Sequence, residues 1–170
     1  MNAKRQSKPA PIKNRTTVER KSDRELVVTR TFNGSARLVF EAWTEPELFR
    51  QWWVPRSMGM SLLSCEMDVR VGGKYRLEFA HGDSRAAFFG TYKEVTPHSR
   101  LVWTNEESDD GSVTTVTFEE RAGKTLLVMH ELYPSKEALD AAGTGAADAT
   151  VETFAQLDEL LVTLGASVGR

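Results

Sequence analysis

The hydrophobic pattern changes period once, late in the chain, and that change limits the available folds more than any other feature. From Ser61 to Leu132 apolar and β-branched residues come in short strand-like runs; from Ala147 onward they step by three and four. The runs are separated by turn signals at Gly72-Gly73, His81-Gly82-Asp83, Thr96-Pro97, Asp109-Asp110-Gly111 and Ala122-Gly123-Lys124. Between those marks the pattern predicts strands over 61–67, 74–80, 86–95, 101–105, 113–119 and 125–132. Connections this short cannot carry parallel crossovers, which need a dozen or more residues, so the strands form an antiparallel meander. A long closing helix is read from Ala147, Thr150, Val151, Phe154, Leu157, Leu161 and Leu164, with Gly143 and Gly145 as a loop before it and Gly165 at its C-cap.

Ahead of the meander, Glu25 to Phe32 is rich in β-branched residues and ends at the turn Asn33-Gly34, which predicts a first strand. Ser35 has the chemistry of an N-cap, and Leu38, Val39, Ala42 and Trp43 follow at helical spacing. Pro46 ends that helix and suits the first turn of another, read through Leu48, Phe49 and Trp52 to Pro55. Trp52 and Trp53 cannot share one helical face, so one ring is expected in the core and the other beside an opening. The fold class is therefore α+β: a curved antiparallel sheet of about seven strands, two short helices and one long C-terminal helix. A sheet of that size presents more apolar surface than one helix covers, and the unfilled space is expected as a cavity.

At 170 residues one domain is the default. Residues 1–23 are polar, carry Pro9 and Pro11 and lack periodicity, which predicts a flexible tail ahead of a domain over 24–166. The tail is basic but no apolar segment follows it, so it does not read as a secretory signal. Lys plus Arg is 22 against 24 Asp plus Glu, a net charge of −2 that argues against nucleic acid as a partner. No run of about 18 apolar residues is present, so membrane insertion is not expected. Cys65 is the one cysteine; it cannot form an intrachain disulfide, it sits in an apolar strand, and a reducing cytoplasmic setting is inferred.

No triad, phosphate loop or metal-ligand spacing appears; the three histidines, His81, His98 and His130, are far apart, and neither a metal nor a cofactor is expected. No catalytic residue is assigned. Asp68 and Arg70 flank Gly72-Gly73 and are read as bracing that turn. In the last strand Leu127, Met129 and Glu131 share one face and Val128, His130 and Leu132 the other. An inward Glu131 would be costly without a partner, and could anchor a polar ligand group or act as a general base. The candidate cavity residues are Trp53, Phe79, Phe88, Trp103, Phe118, Met129, Glu131, Phe154 and Leu157.

Four stretches carry a family resemblance: 30–53 (RTFNGSARLVFEAWTEPELFRQWW), 68–75 (DVRVGGKY), 90–104 (GTYKEVTPHSRLVWT) and 123–127 (GKTLL). Over about 25–165 the chain resembles the START-like, or SRPBCC, superfamily, in the branch related to the C-terminal domain of the activator of heat-shock protein 90 ATPase. The resemblance implies the helix-grip fold with a deep apolar cavity. It departs from the family's frequent Gly-Trp ahead of the last helix, since Gly145 is followed here by Ala146, and the family's co-chaperone role belongs to a two-domain protein whose N-terminal partner domain has no counterpart here. The expected function is binding of a small apolar or amphipathic ligand by a monomer or homodimer. The alternatives are an enzyme acting on a cyclic or aromatic substrate, cyclase- or aromatase-like, and a chaperone-associated protein of the ATPase-activator type.

Overall fold

The computed structural model describes residues 15–106 and 111–168, with the backbone alone for 143–147 and 166–168. Eight strands form one antiparallel sheet: β1 (Thr17–Arg20), β2 (Glu25–Phe32), β3 (Ser61–Met67), β4 (Lys74–His81), β5 (Ser84–Thr96), β6 (Arg100–Thr104), β7 (Val113–Arg121) and β8 (Lys124–Leu132). Their order across the sheet is β1-β2-β8-β7-β6-β5-β4-β3, so β3 to β8 form the meander and β2 closes onto its last strand. Helices α1 (Ala36–Thr44) and α2 (Pro46–Phe49) link β2 to β3, and α3 (Lys136–Val168) ends the fold.

Local chemistry accounts for the helix boundaries. The Ser35 hydroxyl accepts from the Leu38 N–H at 3.2 Å, capping α1. Pro46 sits in the first turn of α2, which ends at Phe49, short of the expected Pro55, and a 3₁₀ turn, Arg56–Met58, follows. The sheet bends where the register slips, between Leu62 and Ser64 against β4 and between Tyr92 and Glu94 against β6. Gly90 lies beside the second slip: a Cβ there would stand 1.7 Å from the Thr104 carbonyl oxygen, so no other residue fits that crossing. At the Gly72-Gly73 turn the Arg70 guanidinium pairs with the Asp68 carboxylate at 2.9 Å.

The sheet of about seven strands is here eight, since Thr17–Arg20 pairs with Glu25–Phe32 as a four-residue edge strand too short to show a period. Residues 1–14 lie outside the described residues. Two expectations about α3 need correction. The long helix starts at Lys136, not after Gly145: Ser135 caps it by accepting from the Ala138 N–H at 3.1 Å, and the two glycines fall inside a run of alanines, the strongest helix formers, which outweighs their cost of about 1 kcal/mol each. Gly165 is likewise within the helix rather than its C-cap.

The core sits between the concave sheet, α1 and the second half of α3. Trp43, 1% exposed, is its centre, with ring centroids of Trp52 at 4.8 Å, Trp103 at 5.9 Å, Phe154 at 6.0 Å and Phe118 at 6.2 Å. The contacts with Trp52, Phe154 and Phe118 are edge-on and that with Trp103 is tilted, arrangements that add to the burial of the rings themselves. Leu157 and Leu161 complete this packing from α3. Arg30, almost buried, crosses from β2 to Asp158 of α3 at 3.1 Å and so ties helix to sheet.

Candidate functional site

Toward the N-terminal half of α3 the helix no longer fills the sheet. Ala142, Ala149, Thr150 and Thr153 face inward there, and a cavity of about 420 Å³ lies between them and the strands. That volume falls in the range of about 300–1,000 Å³ usual for small-molecule sites. Phe79 and Phe88 from β4 and β5, Trp103 from β6 and Met129 from β8 form its sheet wall, with Phe154 closing it from the helix. The third wall is the loop after α2, where Trp53, Val54, Pro55, Met58 and Met60 meet the cavity. A smaller space of about 30 Å³, enough for one water, extends inward past Trp53 and Trp103 to Trp43, Tyr75 and Tyr92.

The loop wall is held by α3 itself. The Gln156 amide donates to the carbonyls of Trp52 (3.0 Å) and Val54 (2.9 Å) and accepts from the Arg56 N–H (2.9 Å). Glu152 accepts from the Ser57 N–H at 2.8 Å and its hydroxyl at 2.5 Å, and these bonds hold the Glu152 carboxyl below its usual range. The adjacent tryptophans divide as their geometry requires. Trp52 is fully buried and donates to the Ala42 carbonyl at 2.9 Å, whereas Trp53 is half-buried and lines both spaces.

One corner of the cavity is polar. Thr114 on β7 stands directly across from Glu131 on β8, and Tyr133 follows on the same face. The Tyr133 hydroxyl donates to Glu131 Oε1 at 2.9 Å, and the Thr114 hydroxyl also bonds that carboxyl. Asn105 donates to Thr114 Oγ1 at 3.0 Å and Ser112 Oγ at 2.9 Å, and accepts from the Tyr75 hydroxyl at 2.9 Å. Burial pushes the Glu131 carboxyl above the ordinary carboxylate range, and the Tyr133 hydroxyl, the charge of His130 and the Thr114 hydroxyl offset only part of that rise. The same burial, with Glu131 beside it, pushes the Tyr133 phenol up.

Of the nine residues expected at a cavity, Trp53, Phe79, Phe88, Trp103, Met129, Glu131 and Phe154 are brought together around this one. Phe118 and Leu157 are not. Phe118 packs under α1 against Phe40 at 5.3 Å, and Leu157 is fully buried in the filled half of the core. The remaining polar wall, Asn105, Ser112, Thr114 and Tyr133, was outside the sequence reading, although Tyr133 lies two residues beyond Glu131 and alternation points both the same way. His130 is on the opposite face, bonded to Glu25 at 2.8 Å, a contact that lowers the Glu25 pKa. Cys65 is half-buried on β3, where burial raises its thiol. Among the described residues no group of three or more His, Cys, Asp or Glu side chains could hold a metal ion, and no helix is long and apolar enough to cross a membrane.

Comparison with known proteins bears on this geometry. The family model described as "Activator of Hsp90 ATPase homolog 1-like protein" matches residues 33–162. A crystal structure of a Rhodobacter sphaeroides protein superposes with a TM-score of 0.81 at 24% identity, covering 88% of this chain and 99% of that one. A Nitrosomonas europaea protein gives 0.78 at 23%, with 86% and 99% covered. The solution structure of a Staphylococcus epidermidis protein gives 0.74 at 25%, with 86% and 94% covered. These likenesses establish the helix-grip architecture. No curated protein matches the chain.

Proposed function

The chain belongs to the Activator of Hsp90 ATPase homolog 1-like family, and we propose that it is a binding module that takes up an apolar or amphipathic small molecule between the sheet and α3. The observation that carries this reading is the cavity of about 420 Å³ with aromatic and methionine walls and a single polar corner. Burial supplies the affinity, at roughly 25 cal/mol per Å² of apolar surface removed from water, and the polar corner supplies orientation. Absence of a membrane-crossing helix among the described residues and the lone half-buried thiol support a cytoplasmic setting.

The family's name supports a second reading, a chaperone-associated protein. That role needs an exposed contact surface rather than an internal space. A thermal-shift screen of the purified protein against fatty alcohols, fatty amines, sterols, flavonoids and polycyclic aromatics separates the two. A ligand that binds the folded state at a hundredfold excess over its Kd adds about 2.7 kcal/mol and raises Tm. Cooperative melting with no shift for any class would remove the cavity reading in favour of a protein partner.

A further inference from the structure

We propose that the cavity selects a protonated amine carried on an apolar body, with Glu131 as its counter-ion, an inference that rests on the binding reading above. The charge inventory of the walls points this way. Glu131 is the one charged side chain lining the cavity among the described residues; no Lys, Arg or His reaches it. The elements packed around it bring no cation into the cavity: β7 contributes Thr114, β2 places Leu26 opposite it in register, and α3 presents Ala142, Ala149 and Thr150 to the same space. The titratable neighbour on its own face is Tyr133, a neutral donor, and His130 points to the other face and is engaged by Glu25. Glu131 is thus oriented by two hydroxyls with no cation beside it in the cavity, and His130 acts on it only through its charge, from the opposite face.

The rest of the wall suits a cation as well. Trp53, Phe88, Trp103 and Phe154 expose aromatic rings to the cavity, and ring faces attract ammonium groups, more strongly where water is excluded. Once Glu131 is ionised, a fatty acid of the same shape would set a second carboxylate beside the first at low dielectric, so the calorimetric comparison of amine and carboxylate is made on the alkaline side of the Glu131 titration. A fatty alcohol would gain the same apolar burial but no ion pair. In the empty protein burial raises the Glu131 carboxyl, so it holds its proton over a wider pH range. Docking of an ammonium favours the carboxylate, and the displaced proton leaves to solvent. Amine affinity therefore rises with pH until Glu131 is ionised in the free protein.

The test uses the full chain and a matched ten-carbon series, decylamine, decanol and decanoate, titrated calorimetrically below their aggregation concentrations, against wild type and Glu131→Gln. The expected order is amine, alcohol, carboxylate, with amine at least about tenfold tighter than decanoate. In Glu131→Gln the amine should fall to the level of decanol, whose own affinity stays within about twofold. Decanoate binding wild type as tightly as decylamine would overturn the assignment without recourse to any variant. Decylamine unaffected by Glu131→Gln would also overturn it, since capture by the acidic surface would then explain the binding. If decanol binds but the amine shows no advantage, the selectivity fails and the cavity reading stands; if none of the three binds, the cavity reading falls and the selectivity with it.

Discussion

The two halves of the space between α3 and the sheet share a backbone but not a volume. Ala149, Thr153, Leu157 and Leu161 form one row at four-residue spacing along the same helix. Where the row reads Leu157 and Leu161, flanked by Phe154, it joins Trp43, Trp52 and Phe32 in the buried core. Where it reads Ala149 and Thr153, the short side chains leave room and line the cavity. A cavity in this protein is therefore a matter of residue size along one helical row, and either half should be convertible toward the other.

The largest effect is expected from opening the closed half. Trp52→Ala removes a fully buried ring and its bond to the Ala42 carbonyl, and should cost about 3–5 kcal/mol by urea denaturation. A loss below about 1 kcal/mol would mean that the filled half is not close-packed. Next comes the seam between the halves. Gln156→Ala deprives the carbonyls of Trp52 and Val54 and the N–H of Arg56 of their side-chain partner, and should cost about 2–3 kcal/mol and speed amide exchange at Arg56. The sharpest contrast is a matched pair: Ala42→Leu overfills the closed half and should cost about 1–3 kcal/mol, while Ala149→Leu fills the open half and should be neutral or stabilising by up to about 1 kcal/mol while abolishing ligand uptake. Equal costs for the two would mean that the halves do not differ in free volume.

The smallest effect concerns the polar corner. Because the folded protein raises the Glu131 pKa above its unfolded value, the folded state binds the proton more tightly, and stability is lost as pH rises from the unfolded value toward the folded one. Glu131→Gln should therefore match wild type near pH 4 and become the more stable protein as pH increases, levelling off once Glu131 is ionised. Melting curves across pH read this directly. A gap that widens toward acid would show that Glu131 is stabilised as an anion.

How much of this was legible in the sequence follows the same division. Strand and turn signals placed the meander, and Ser35 and Pro46 marked their helix boundaries, because those features depend on neighbouring residues alone. Inward alternation on β8 correctly sided Met129 and Glu131. The polar corner was out of reach because Thr114 meets Glu131 only through the register of β7 against β8, and Asn105 only through Thr114. Phe118 and Leu157 were expected at the cavity because period reports the face of an element and not the height along it: both face inward, at the filled end. The alanine-rich start of α3, which makes the open half, was hidden by its glycines, whose local preference for a loop is overridden by the helix on either side.

Entry of an apolar body into the open half can be read from the methionine methyl groups. Three of the five methionines, Met58, Met60 and Met129, line the cavity from the loop and from the sheet. With methyl-labelled methionine, titration with decanol should shift and broaden these three resonances together, and Ala149→Leu should leave them unmoved. Resonances of Met58, Met60 and Met129 that stay fixed up to the solubility limit of decanol in the wild-type protein would mean that no apolar body enters the open half.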